Sequence, residues 1–103
     1  MTTPLVETLF KELYQVIQSR RQSADPKHSY VARLFAEGPD RILQKVGEEA
    51  VETILAAKNR DSHSVIHETA DLWFHSLVLL AEQGIDPQQV VQELINRFHL
   101  PNQ

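Results

Sequence analysis

Cysteine is absent from this sequence of 103 residues, which excludes disulfide bonds and metal sites built on thiolates. Basic residues are in the minority, with 10 Lys and Arg against 14 Asp and Glu, so a broad basic surface for nucleic acid is also excluded. No apolar run approaches the roughly 18 residues of a membrane-spanning helix. The N-terminal "MTTPLVETLF" lacks the basic start of a signal peptide. We therefore expect a cytoplasmic protein that binds neither nucleic acid nor a membrane.

Glycine and proline are also scarce, at three and five residues, and they separate segments with helical periodicity. No segment alternates as a strand would, and 42% hydrophobic residues suffice for a core. The sequence predicts an all-α bundle of four to five helices in a single domain, residues 1–103. The predicted elements are a helix begun by Thr3-Pro4, a short helix or turn ending at Gly38, and helices over about residues 41–59, 62–83 and 87–98. We expect Asp40 and Asp86 to be N-caps.

Three carboxylates lie close together on the predicted helix over residues 41–59. Glu48, Glu49 and Glu52 share about a third of the helix circumference with Lys45, and this sector borders apolar positions. Like charges three or four residues apart repel each other on a helix. On its own, such a run is typical of a solvated helix face.

Two further acids interrupt the most apolar helix of the chain, residues 62–83. Glu68, Asp71 and His75 form one narrow stripe on a helix that is otherwise apolar around most of its circumference. A buried carboxylate without a partner is costly, so a positive charge should compensate it. Lys45 and Arg41 are the basic residues best placed to do so. A buried salt bridge is the simplest alternative for Glu68 and Asp71.

The two acidic pairs together favour a metal site over either alternative. Both pairs have i,i+3 spacing, both border core positions, and their helices are joined by a short turn. Several carboxylate oxygens converging on one point suit a hard cation, Mg²⁺ or Mn²⁺. Lys45, on the same face, is then well placed to contact an anionic substrate.

The arrangement EExxE followed by ExxD resembles the signature of the all-α nucleoside triphosphate pyrophosphatases, the MazG-like superfamily. The longer stretches "SYVARLFAEGPDRILQKVGEEAVETILAAKNRD" and "HETADLWFHSLVLL" resemble its phosphoribosyl-ATP pyrophosphatase family, over about residues 29–97. The resemblance implies hydrolysis of the α–β phosphate bond of phosphoribosyl-ATP, the second step of histidine biosynthesis, by a homodimer. It implies Mg²⁺ ligands at these four positions: Glu49, Glu52, Glu68 and Asp71.

Other residues receive less specific expectations. The resemblance suggests that Glu48 orients or deprotonates the attacking water, or supports a ligand. We expect Lys45 to contact the substrate phosphates and Arg33 to be a weaker candidate for the same task. His75 is expected either to hydrogen-bond a ligand carboxylate or to be a satisfied core histidine.

Four alternatives stay open or are disfavoured on stated grounds. A pyrophosphatase acting on other nucleoside triphosphates and a non-enzymatic helical dimer both remain compatible with the acids. A di-iron bundle would use Glu-x-x-His pairs, whereas both pairs here are carboxylates only. A zinc hydrolase would use His63 and His67, but His67 is expected to point away from the Glu68 stripe.

Dimerisation is predicted from the same apolar helix. Residues 62–83 carry apolar side chains on nearly every side, and a chain of 103 residues has few other helices with which to cover them. We expect the two central helices to pack against a second copy.

Overall fold

The computed structural model describes residues 6–101, and within that range every regular element is a helix, as the sequence predicts. The predicted start at Thr3-Pro4 lies outside the described residues. The helices are α1 (Val6–Ser23), α2 (Tyr30–Glu37), α3 (Pro39–Lys58), α4 (Ser62–Glu82) and α5 (Pro87–Phe98). None of these helices is both long enough and apolar enough to cross a membrane.

Side-chain caps fix the starts of three helices. Ser29 caps α2 by accepting from the Ala32 backbone N–H, and Asp61 and Asp86 cap α4 and α5 in the same way. The predicted cap at Asp40 is wrong. Gly38 occupies the N-cap of α3 and Pro39 follows at the first helical position, where its missing N–H costs nothing. Asp40 lies in the first turn of α3, where its negative charge interacts favourably with the positive end of the helix dipole.

The core lies where α1, α2, α3 and α4 meet. Its buried residues are Ile17, Val31, Leu34, Ile42, Leu77, Val78 and Ala81. The short turn after Lys58 folds α4 back against α3, and this pair has the most extensive contact of any two helices. The acids of both helices are thereby brought to one side of a helical hairpin.

The apolar circumference of α4 is only partly covered in the single chain. His75, Leu77, Val78 and Ala81 are buried, but Ile66 and Trp73 are exposed. Helix α3 behaves similarly, with Ile42 buried and Leu43 and Ile54 exposed. The described part of one chain therefore leaves apolar surface of α4 uncovered, as the small number of helices leads us to expect.

Candidate metal centre

Three of the predicted ligands meet between α3 and α4. Glu49 and Glu52 from α3 and Glu68 from α4 each offer a carboxylate oxygen, and these oxygens lie within 4.8 Å of one another. The i,i+3 spacing places the two α3 acids on neighbouring turns of one face, and the hairpin brings Glu68 opposite them. Three of the four acids therefore converge as the two motifs predict, while Asp71 lies outside this group.

Burial distinguishes this group from a solvated acidic face. Glu49 is 5% exposed, and Glu68 is largely shielded from solvent. Within residues 6–101, no hydrogen-bond donor reaches the buried Oε2 atom of Glu49 or that of Glu68. Buried carboxylate oxygens without partners are costly, whereas a divalent cation with oxygen ligands would satisfy both. The donor set therefore fits Mg²⁺ or Mn²⁺.

Lys45 supplies the positive charge nearest to these acids. Its Nζ lies 3.3 Å from Glu48 Oε2 and 3.3 Å from Glu49 Oε1. Burial acts to lower the pKa of Lys45, but hydrogen bonds to Glu49 and Glu48 and the surrounding negative charge outweigh it and raise that pKa above its ordinary value. The ammonium group therefore stays charged.

Glu48 lies at the edge of the group and has partners of its own. Its Oε1 accepts from Gln44 Nε2 at 3.0 Å and lies 3.8 Å from Arg41 Nη1. Arg41 and Lys45 thus pair with Glu48 and Glu49 on their own helix. The ion-pair neighbour of Glu68 and Asp71 is instead His67, so the predicted compensation of these two acids by Lys45 or Arg41 is wrong. Because both of its oxygens have cationic or amide neighbours, Glu48 is held in place beside the buried carboxylates and is not among them.

Asp71 lies next to Glu68, and its ion-pair neighbour in the described part of the chain is the imidazole of His67. The His67 Nε2 atom is 3.5 Å from Asp71 Oδ2 and 4.0 Å from Glu68 Oε1. The expectation that His67 points away from Glu68 is wrong. Residues four apart share a helix face, and the exposed imidazole is long enough to lie over the adjacent carboxylate. His67, Glu68 and Asp71 form a second group whose ligand atoms lie within 4.8 Å.

His75 is a satisfied core histidine, one of its two predicted roles. Its Nδ1 lies 2.7 Å from the Asp71 carbonyl oxygen, which can only accept, so Nδ1 carries the proton. Its Nε2 then accepts from the Tyr30 hydroxyl at 2.7 Å. Burial raises the pKa of Tyr30, although Lys45 and Arg41 oppose this, so the hydroxyl keeps the proton that it donates.

Arg33, the weaker phosphate candidate, is exposed on α2. Its Nη1 donates to the Pro26 carbonyl at 3.2 Å, and its guanidinium carbon lies 5.5 Å from the centre of the Tyr30 ring. These contacts leave the group solvent-accessible, and none of them joins it to the acidic pair of α3.

A cleft of about 260 Å³ opens beside Glu52 and Glu68, at the end of the hairpin where α3 meets α4. Its lining residues are Glu52, Leu55, Ala56, Asn59, Asp61, Ser64 and Glu68. Asn59 and Ser64 were not predicted as site residues. They belong to the turn and to the first turn of α4, and no periodic pattern in the sequence relates them to the acids.

One carboxylate oxygen of Glu68 is buried without a hydrogen-bond partner in residues 6–101, which leads to a stability prediction. Replacing Glu68 with glutamine should raise the melting temperature of the metal-free protein, because the amide removes a partly desolvated negative charge that is repelled by Glu49 and Glu52. About 1 kcal/mol corresponds to about 4–8 °C in a domain of this size. Scanning calorimetry in EDTA measures the change, with Glu12→Gln on the exposed surface of α1 as the control. A melting temperature that is unchanged or lower in Glu68→Gln would contradict a strained acidic cluster.

Comparison with known proteins agrees with this geometry. The profile of the family described as phosphoribosyl-ATP pyrophosphohydrolase matches residues 10–98. A protein of Nitrosomonas eutropha named phosphoribosyl-ATP pyrophosphatase is 48% identical, over 87% of this chain and 76% of its own length. A protein of the same name from Janthinobacterium sp. is 54% identical, over 88% of this chain and 85% of its own length. The chain therefore belongs to the phosphoribosyl-ATP pyrophosphohydrolase family.

Proposed function

We propose that this protein hydrolyses the α–β phosphate bond of phosphoribosyl-ATP, giving phosphoribosyl-AMP and pyrophosphate, in the second step of histidine biosynthesis. The observation that carries the proposal is the group formed by Glu49, Glu52 and Glu68, whose oxygens converge with two of them buried and unsatisfied among the described residues. A cluster of this kind in a member of this family is suited to phosphate chemistry that depends on a metal ion.

Four carboxylates would hold the metal in this proposal: Glu49, Glu52, Glu68 and Asp71. Bound Mg²⁺ would neutralise phosphate oxygens and lower the pKa of a coordinated water. The protein's own part is to fix the carboxylates before the substrate arrives. Packing of α3 against α4 fixes Glu49 and Glu68, and the His75 hydrogen bond to its carbonyl fixes the backbone of Asp71.

Lys45 and Glu48 supply the remaining chemistry. Lys45 keeps its charge and lies within 3.3 Å of Glu49, so we assign it a contact to the substrate phosphates once a metal ion neutralises Glu49. Glu48 is assigned to the attacking water, because Arg41 and Gln44 hold its carboxylate at the edge of the cluster. Arg33 is retained as a secondary phosphate contact because its side chain is exposed, although reaching a phosphate would require it to leave the Pro26 carbonyl.

The acting form is proposed to be a homodimer in the cytoplasm. Exposed apolar residues on α3 and α4 support a second copy, and a biosynthetic role for the named relatives supports the compartment. In such a dimer the partner subunit would form the side of the nucleotide site that faces the α3–α4 hairpin.

Pyrophosphate release is the direct test of the substrate. The protein, freed of metal with EDTA and supplied with Mg²⁺, should release pyrophosphate from phosphoribosyl-ATP much faster than from ATP, dUTP or dCTP. Without Mg²⁺ the rate should fall to background, because the phosphates cannot approach five acids unaided. Equal or faster turnover of a plain nucleoside triphosphate would instead identify a pyrophosphatase of broader specificity in the same superfamily. No release from any of the four nucleotides would contradict the enzymatic proposal.

A further inference from the structure

The cleft at the end of the α3–α4 hairpin extends away from the candidate metal centre. Glu52 and Glu68 border it on one side, and Asn59, the C-cap residue of α3, also lines it. Seven residues separate Glu52 from Asn59, so both lie on one face of the helix and are offset by about 10 Å along its axis. That offset is comparable to the distance between the α-phosphate of a nucleotide and the far edge of its base.

The size and the wall of the cleft suit one part of a nucleotide. Its volume of about 260 Å³ is below the roughly 300–1,000 Å³ of pockets that enclose a whole ligand. Leu55 and Ala56 give it an apolar wall, and Leu55 is 56% exposed in the single chain. The ring of a nucleotide base would pack against this wall and remove its apolar area from water.

The charge of the lining beyond the acids opposes a phosphate there. Asp61 lines the cleft, and hydrogen bonds from the Ser64 hydroxyl and backbone N–H lower the pKa of its carboxyl, which is therefore ionised at neutral pH. The basic residues nearest to it in sequence are Lys58 and Arg60, and neither is among the described residues that line the cleft. This part of the cleft therefore suits the base of a nucleotide and not its phosphates.

Asn59 supplies a polar group that no internal contact uses. Its backbone N–H donates to the Leu55 carbonyl at 3.1 Å, while its exposed side-chain amide has no hydrogen-bond partner in residues 6–101. The Ser64 hydroxyl, by contrast, already donates to Asp61 Oδ2 at 2.8 Å. An asparagine amide combines an acceptor with donors, and this combination pairs with the N6 amino group and N7 of adenine at the same time.

We propose that this cleft is the adenine subsite and that Asn59 determines base specificity, accepting from N6 and donating to N7. The second ribose of phosphoribosyl-ATP is joined to N1 of adenine, which blocks the edge used in base pairing and leaves the edge with N6 and N7 available. Guanine presents two acceptors, O6 and N7, at that edge, so it leaves the amide oxygen of Asn59 without a donor. The inference rests on the proposed function and adds to it the residue that reads the base.

Steady-state kinetics with two substrates tests the pairing. One substrate is phosphoribosyl-ATP, and the other is its 7-deaza analogue, in which a C–H group replaces N7 of adenine. Asn59→Leu should raise KM for phosphoribosyl-ATP by about 10-fold, as loss of a bidentate pair should. It should leave kcat within about threefold, because the pair acts equally on bound substrate and transition state. The wild type should show a higher KM for the 7-deaza analogue, whereas Asn59→Leu should show the same KM for both substrates, since it offers N7 no donor.

Asn96→Leu is the matched control, because it makes the same chemical change at an exposed position of α5 outside the cleft. It should keep the wild-type KM for both substrates, and circular dichroism should show the same helix content in all three proteins. If Asn59→Leu raises KM for both substrates by the same factor, Asn59 acts on the shape of the hairpin and the proposal is overturned. An unchanged KM in Asn59→Leu, or a wild type that treats both substrates alike, would also overturn it while leaving the proposed function intact. Failure of the wild type to release pyrophosphate from phosphoribosyl-ATP would reject both the subsite and the proposed function.

Discussion

Replacing Glu52 with glutamine is expected to abolish pyrophosphate release while leaving the fold intact. Glu52 is exposed on α3, so its substitution opens no cavity in the core. Its carboxylate nevertheless completes the group with Glu49 and Glu68, and an amide is a poor replacement for a charged ligand of a hard cation. We expect a loss of at least about 100-fold, because mutation of even the supporting partners of metal ligands costs about 10–100-fold.

The measurement compares turnover after EDTA treatment and restoration of Mg²⁺, with circular dichroism to show that the helices persist. Glu12→Gln makes the same chemical change on the exposed face of α1 and should retain wild-type turnover. Calorimetric titration should show weaker Mg²⁺ binding in Glu52→Gln and unchanged binding in Glu12→Gln. A near-wild-type rate in Glu52→Gln would exclude Glu52 as a metal ligand.

Local signals in the sequence predict the ends of the helices closely where a cap is present. The predicted segments 62–83 and 87–98 match α4 and α5 to within a residue, because Asp61 and Asp86 terminate the turns that precede them. The sequence places the start of α3 two residues late, because a proline can separate two helices as well as begin one. Proline is equally suited to the first helical position, and the glycine before it adopts a positive φ.

Helical spacing also predicts which acids converge, but it cannot predict the contacts that cross between helices. Glu49, Glu52 and Glu68 meet because two periodic motifs lie on the faces of a hairpin, a geometry that spacing alone implies. The hydrogen bond from Tyr30 to His75 joins residues 45 positions apart, and no local pattern relates them. The contact of His67 with Asp71 follows from their i,i+4 spacing, whereas the expectation for His67 considers only its direction relative to Glu68.

Helix α3 has a second apolar face that the single chain does not cover. Leu43, Val51 and Ile54 are exposed and lie about 100–180° around the helix from the buried Ile42. Gly47 lies among them, and within the described part of the chain nothing approaches to within 4 Å of where its Cβ would be. Glycine in a helix interior costs about 1 kcal/mol relative to alanine, and nothing in the protomer requires it here. A partner helix that approaches α3 closely at Gly47 would require it.

Substituting Ile54 with glutamate is therefore expected to convert a dimer into a monomer. The Ile54 side chain, 61% exposed in the single chain, would lie in the interface, where an unpaired carboxylate costs several kcal/mol. Light scattering at micromolar concentration should give about twice 11.8 kDa for the wild type and 11.8 kDa for the variant. The variant that is monomeric by light scattering should also show reduced turnover, since we propose that the partner subunit forms one side of the nucleotide site.

Val16→Glu is the control for Ile54→Glu, because it also adds one negative charge and removes one exposed apolar side chain. Val16 is an exposed apolar residue of α1, outside the face of α3 that carries Gly47, so this variant should remain dimeric and active. The comparison separates a specific interface from a general response to added charge, because both variants exchange one exposed β-branched residue for one carboxylate. A wild-type protein that is fully active as a stable monomer would contradict the interface, and so would an Ile54→Glu variant that keeps the dimer mass.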